Sequence, residues 1–310
     1  MRIVISEFMD DDAVGALRAR HDTVYDATLV DDRDALLHAV GAADALIVRN
    51  RTRVDQALVS AASSMKVVGR LGVGLDNIDV AACEARGIAV IPATGANALA
   101  VAEYVICTAM MLLRGAYAST PAVAEGRWPR TVLSNGREAA GKTLGIVGFG
   151  GIGRLTAALA SALSMRVVGH DAKVRDDDPS WREARVQPCT LDALLAMSDV
   201  ITLHVPLVAQ TRGLIDAVRI SRMKPGAIVV NTSRGGVVDE AAVAAALRSG
   251  HLGGAALDVF TEEPLPAGSP LAGCPNLVLT PHIAGITAES NARVSQLIAQ
   301  RVLDVLAARR

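Results

Sequence analysis

A chain of 310 residues is longer than one hydrophobic core usually supports, so two domains are expected. Aromatics make up only 3% of a composition that is 51% apolar, so the core must be built from Ala, Val, Leu and Ile, as in parallel sheets covered on both faces. With 31 basic against 32 acidic side chains, no bulk charge favours nucleic acid or an anionic membrane as a partner, and any anion recognition must be local.

The N-terminal MRIVISEFMDDD meets acid after a few apolar residues and is not expected to serve as a secretory h-region. Short apolar runs then alternate with helical patterns, the signature of βα units. In the first hundred residues the strands are expected at Arg2 to Ile5, Ala45 to Val48, Lys66 to Val68 and Ile88 to Ile91. After the second of these, LIVRNRTRVD places Arg49, Arg51 and Arg53 within five residues. They form either a solvated loop leading to a helix capped by Thr52, or an anion site. The next turn, GRLGVGLDNID, is rich in glycine, with Asp76 or Asp79 available to cap a helix.

Ala98 to Leu113 reads as a packed helix with Asn97 as its N-cap; it carries Glu103 and is too short to span a membrane. The segment GAYASTPAVAEGRWPRTVLSNGREAAG is too long for an ordinary connector. Trp128 favours an arm packed on a partner subunit over a linker. A second strand series follows: LGIVG, RVVGH, DVITLHV, AIVVN, GAALDV and NLVLTP. A final helix, roughly Thr287 to Ala308, has no strand partner of its own there and is expected to cross back to the first domain. Four scattered cysteines (Cys83, Cys107, Cys189, Cys274) have no metal-ligand spacing and read as reduced thiols in a cytoplasm; no metal is expected.

GFGGIG, Gly148 to Gly153, is a G-x-G-x-x-G that follows a strand and opens a helix, the context in which that pattern binds a dinucleotide pyrophosphate. Asp171 ends the next strand, placed to bind ribose hydroxyls and repel a 2′-phosphate, so the expected cofactor is NAD rather than NADP. Lys173 and Arg175 nearby weigh slightly against that choice. NTSRGGVVDE, ALDVFTEEP and LTPHIAG supply Arg234, the acids Asp258, Glu262 and Glu263, and His282 at strand ends, where open α/β sheets bind ligands. Each has a bland reading alone: a surface arginine, an acidic loop, a capping histidine. Together they form a proton-transfer set, with a histidine base, a carboxylate to stabilise imidazolium and a guanidinium to hold a substrate carboxylate.

The combination of GFGGIG, SDVITLHVPL, KPGAIVVNTSRGGVVDE, ALDVFTEEP and TPHIAG resembles the D-isomer-specific 2-hydroxyacid dehydrogenase family over essentially the whole chain. That resemblance implies an α/β fold of two Rossmann-like or flavodoxin-like parallel-sheet domains with a cleft between them. Residues 1–97 and 285–310 would form the substrate domain, and 98–284 the NAD-binding domain, with a dimerisation arm at about 117–141 making a homodimer. It implies Arg234, Glu263 and His282 as the catalytic trio, Glu263 being preferred to Glu262 because it directly precedes the proline. Gly148, Gly150, Gly151, Ile152, Gly153, Asp171, Val205, Thr232, Ser233 and Asp258 would hold NAD. Gly72, Val73 and Gly74 would bind the substrate carboxylate, with Arg49, Arg51 and Arg70 toward its distal end. Val208 stands where many relatives have threonine. A regulatory extension after the last helix, and with it serine feedback through such a domain, is not expected.

Arginines facing a methyl or hydroxyl would be costly, so the substrate is expected to be a small 2-hydroxy acid with a second anionic group, sulfonate or phosphate. VISEFMDDDAV, ALIVRNRTRV and VVGRLGVGLDNID resemble a bacterial subgroup acting on (S)-3-sulfolactate. The alternatives are 3-phosphoglycerate and hydroxypyruvate or glyoxylate, and, in another functional class, an NAD-sensing corepressor.

Overall fold

The computed structural model describes residues 1–309. It divides into two compact units: Met1–Asn97 with the residues from Ile286 on, and Ala98–Gly285.

In the first unit, β1 (Arg2–Ile5), β2 (Asp22–Tyr25), β3 (Ala45–Val48), β4 (Val67–Arg70) and β5 (Ala89–Pro92) form a parallel sheet in the order β2-β1-β3-β4-β5. β2 is not among the expected strands, because DTVY opens with two polar residues instead of forming an apolar run. β4 and β5 each begin one residue later than expected and also extend beyond the expected end. Both faces are covered. Ile3, Ile5 and Ile47 pack with Val14 and Leu17 and with the last helix, whereas Val4, Leu46 and Val48 pack with Leu36, Leu58 and Cys83. The last helix, Ala288–Ala308, starts from a capping box in which Thr287 and Ser290 bond reciprocally. It lies so close to β4 that a Cβ on Gly69 would stand 2.7 Å from Ile298, so glycine is required there.

The second unit contains β6 (Thr143–Val147), β7 (Arg166–His170), β8 (Gln187–Pro188), β9 (Val200–Leu203), β10 (Ala227–Asn231), β11 (Leu252–Leu257) and β12 (Leu277–Leu279). They form one parallel sheet in the order β12-β11-β10-β9-β6-β7-β8. β6, β9 and β10 are buried along their whole length, which explains their continuous apolar runs. The helix Ala98–Arg114 covers one face through Val105, Ala109, Leu112 and Leu113. Asn97 does not act as its cap: the side-chain oxygen is buried without a hydrogen-bond partner. No helix among the described residues is long and apolar enough to cross a membrane.

In each sheet the strand order reverses once, between β1 and β3 and between β6 and β9. Ligands of open α/β sheets bind beyond the carboxyl ends of strands at such points.

Candidate active site

β6 runs into Gly148, whose φ of +99° and whose approach to the His204 carbonyl exclude any side chain; an added Cβ would lie 2.5 Å from that oxygen. Gly153 is required for a different reason, since its Cβ would meet the Gly148 carbonyl at 2.3 Å. At Gly150 and Gly151 a Cβ would meet nothing in the protein. Those two glycines are therefore not explained by packing, and they open the twelve-residue helix Gly151–Ala162, whose N-cap Gly150 supplies no side-chain bond. Unpaired N–H groups with open space before them suit a pyrophosphate. The loop itself is held by Phe149, fully buried and stacked on Trp181 at 3.9 Å between centroids. Trp181 lies outside every motif, and nothing in the sequence pattern pointed to it.

Asp171, at the end of β7, accepts the Phe149 N–H through Oδ2 (2.7 Å) and the Lys173 and Val174 N–H groups through Oδ1 (2.7 and 3.2 Å). It thus ties the glycine loop to the next strand end. Ile152 lies in the first turn of the helix, and Val205 follows β9 beside Gly148. His204 takes part in a hydrogen bond with Thr202 Oγ1 through Nε2 (3.1 Å), and burial pushes its pKa down to about 4.

β10 ends in Asn231, whose buried Oδ1 accepts both the N–H and the hydroxyl of Ser233 (3.0 and 2.7 Å). This turns the chain so that Thr232 Oγ1 is buried with no partner in the protein, a hydroxyl that a bound group can satisfy. Arg234 follows, with Nη1 donating to the Ser233 carbonyl at 2.6 Å. Gly235 allows this turn to pack against the loop after β11, where a Cβ would lie 1.8 Å from the Phe260 carbonyl.

That loop carries Asp258, 1% exposed. Its Oδ1 accepts the Thr280 hydroxyl (2.6 Å) and the Ile283 N–H (2.8 Å), its Oδ2 accepts the Ala284 N–H (2.8 Å), and its backbone carbonyl accepts the His282 N–H (2.8 Å). Thr280 in turn meets the Tyr104 hydroxyl at 2.6 Å, and burial raises the Tyr104 pKa. So clamped, His282 is held at φ +56°, a left-handed conformation that a non-glycine residue adopts only when its surroundings enforce it. Its Nδ1 stands 2.9 Å from Glu263 Oε2, and Glu263 Oε1 accepts the Phe260 N–H. An ionised carboxylate only accepts, so Nδ1 carries the proton and Nε2 of the neutral ring carries the lone pair. The structure thus brings Glu263 to the histidine, and it assigns Asp258 both oxygens to the loop that presents that histidine.

In the first unit, the Gly69 to Asp79 turn brings Arg70 over Gly72, where a Cβ would overlap the guanidinium. Val73 is 41% exposed, and Gly74 follows it in the same loop. Asp79, not Asp76, caps the following helix by accepting the Ala82 N–H. The arginine stretch differs from expectation in one respect. Thr52 is no helix cap: it is buried with its hydroxyl on Ser6 Oγ (2.9 Å), and the helix Gln56–Ala61 begins three residues later with Asp55 as its cap. Asp55 succeeds because its side chain reaches the Leu58 N–H, whereas Thr52 is drawn into the core by Ser6. Arg53 is therefore in an extended loop and not in a helical turn; it is exposed. Arg51 is exposed and ion-paired with Asp31. Arg49 donates through Nη2 to Asn291 Oδ1 (2.9 Å), with its guanidinium 5.6 Å from the centre of the Phe8 ring.

Residues 106–284 match the family model described as D-isomer specific 2-hydroxyacid dehydrogenase, NAD binding domain, and the chain belongs to that family. It is an NAD-binding oxidoreductase acting on a CH–OH group. It is 53% identical over 307 residues to (S)-sulfolactate dehydrogenase of Chromohalobacter salexigens, covering 99% of both chains. To D-3-phosphoglycerate dehydrogenase of Archaeoglobus fulgidus it is 38% identical, over 98% of this chain but only 57% of that protein. Among solved structures, the NAD-dependent formate dehydrogenase of Staphylococcus aureus in complex with NAD superposes with a TM-score of 0.83 at 29% identity, covering 100% of this chain and 97% of that one.

Proposed function

We propose that this chain oxidises (S)-3-sulfolactate to 3-sulfopyruvate with NAD, releasing NADH and a proton. The observation that carries this reading is Arg49, a half-buried guanidinium held by neutral partners, in a chain 53% identical end to end with a sulfolactate dehydrogenase. A cation in that setting favours a substrate whose far end is anionic.

Gly150, Gly151 and Ile152 at the helix N-terminus would hold the pyrophosphate, Asp171 the adenosine ribose, and Val205, Thr232, Ser233 and Asp258 the nicotinamide end. Bound NAD supplies the acceptor for the hydride that leaves C2. The Arg234 guanidinium pairs with the substrate carboxylate and polarises the C2 oxygen. His282 Nε2 takes the hydroxyl proton as the C–H bond breaks, and Glu263 balances the imidazolium through Nδ1. Gly72, Val73 and Gly74 offer backbone N–H groups suited to a substrate carboxylate.

Homodimerisation through the 117–141 arm is part of this proposal. It is supported by Tyr117, Trp128 and Val132, which are 67%, 76% and 77% exposed on a segment with only short helices. A cytoplasmic setting accords with four free cysteines.

The test is a panel of 2-hydroxy acids followed by NADH absorbance. Sulfolactate is expected to show the highest kcat/KM; faster turnover of 3-phosphoglycerate, D-lactate or D-glycerate would overturn the assignment.

A further inference from the structure

Three arginines follow β3, and their partners differ. Arg51 is neutralised by Asp31, and Arg53 points its backbone carbonyl at Arg33 while remaining exposed. Arg49 makes no ion pair among the described residues; its partners are an amide and an aromatic ring. Burial lowers its pKa, while the charge of Glu7 opposes that shift. A cation used only to hold a fold would normally be paired with a carboxylate once half-buried.

The backbone beneath it is fixed from the other side of the switch point. β1 and β3 are parallel neighbours, so the residues after Ile5 lie beside those after Val48. Glu7, 5% exposed, accepts four successive N–H groups: Arg49 (2.8 Å) and Thr52 (2.9 Å) on Oε1, Asn50 (3.3 Å) and Arg51 (3.1 Å) on Oε2. Asn77 Nδ2 donates to the carbonyls of Arg49 (3.3 Å) and Thr52 (2.7 Å). A carboxylate has acceptor sites for four donors on two oxygens, which no neutral side chain of that length offers. The loop therefore wraps a buried anion, and the Arg49 side chain that emerges from it is received by Asn291 on the last helix.

We infer that Glu7 and Asn291 are positioning residues that hold Arg49 in a single orientation toward an oxyanion, and that selectivity for a substrate with a distal anion resides in this clamp. The inference rests on the proposed role of Arg49 as reader of the distal group. It adds that the reader is one preorganised guanidinium whose direct side-chain partners, Asn291 and Phe8, are neutral. Preorganisation matters because a flexible arginine would lose rotamer freedom on binding, and that loss would appear in KM.

The test compares an anionic substrate with D-lactate, which has the same carboxylate and hydroxyl but no distal charge. Asn291→Ala should raise KM for (S)-3-sulfolactate by about 10-fold, the scale of one hydrogen bond to a charged group, with kcat and the D-lactate parameters little changed. Asn291→Asp should be more damaging to selectivity, because a carboxylate would pair with Arg49 and spend its charge, while the thermal midpoint stays level or rises. That opposition between stability and selectivity is not expected from a merely structural residue. Glu7→Gln should lower both, since one amide oxygen cannot serve four N–H groups. Equal losses for both substrates in the Asn291 variants, or an unchanged preference in Asn291→Asp, would overturn the inference. If the wild-type enzyme instead prefers 3-phosphoglycerate, the sulfolactate reading fails, and the clamp stands only if Asn291→Asp abolishes that preference too. A wild-type enzyme with no preference for either anion over D-lactate would remove both.

Discussion

Two loops of this protein are built on the same plan. After β11, buried Asp258 collects one hydroxyl and two backbone N–H groups and so presents His282; after β1, buried Glu7 collects four backbone N–H groups and so presents Arg49. In both, a buried anion shapes the backbone, and another side chain is presented at the tip. They differ in what meets that tip. His282 is held by a carboxylate, Glu263, which would balance an imidazolium formed in the proposed reaction; Arg49 is held by an amide and makes no ion pair among the described residues. A proton-transfer group needs a counter-charge, whereas a recognition group needs to lack one.

The largest expected effect comes from removing the tip of the first loop. His282→Ala should lower kcat by about 10²- to 10⁴-fold, the usual worth of a positioned acid–base group, with NADH affinity preserved by fluorescence titration. NADH binding with negligible wild-type turnover of every hydroxy acid would instead favour the corepressor class. Next comes the contrast within the arginine loop. Arg49→Ala should raise KM for an anionic substrate by at least about 10-fold. Arg51→Ala should change it less than about 3-fold, because exposed ion pairs contribute little and its loss exposes no buried charge. Comparable effects from both would mean that the two arginines read the anion together.

Asp258→Asn tests whether the anion under His282 is there for geometry. An amide leaves at least one of its buried donors without an acceptor, so a loss of about 1–3 kcal/mol in unfolding free energy is expected, with a fall in kcat. Asp171→Ser should weaken NAD binding and narrow the margin over NADP, measured as the ratio of the two kcat/KM values. The smallest effect concerns pH. His204 is held neutral, with a pKa near 4 in the folded chain against 6.5 for the free side chain. The unfolded state therefore binds more protons between those values. The contribution of His204 to stability is complete above about 6.5 and is lost as pH falls toward 4. Thermal unfolding of His204→Gln should show a flatter slope across that window.

Much of the second unit was legible because its candidate site residues lie within short runs. GFGGIG, NTSRGG and TPHIAG each bring their glycines and polar groups together in ten residues or fewer, and the strand before each is a continuous apolar run. The proline after Glu263 selected it over Glu262, and Glu263 is the acid that meets His282. Less was legible in the first unit. The arginine stretch stands out in the sequence, yet a threonine before an apolar run is a sound local signal for a helix cap. Burial against Ser6, 46 residues away, overrode it.

The sequence by itself determined the class of fold, the strands buried on both faces, the glycine turn and the residue types of the proposed proton-transfer set, because hydrophobic period, turn chemistry and short motifs are local properties. Only the tertiary structure decided that Glu7 shapes the arginine loop, that Asp258 shapes the histidine loop, and that Asn291 on the last helix receives Arg49. Those pairings depend on strand order: β1 beside β3 brings residue 7 to residues 49–52, and the return of the last helix to the first sheet brings residue 291 to residue 49. Strand order arises from packing across the whole sheet, so no window of sequence contains it.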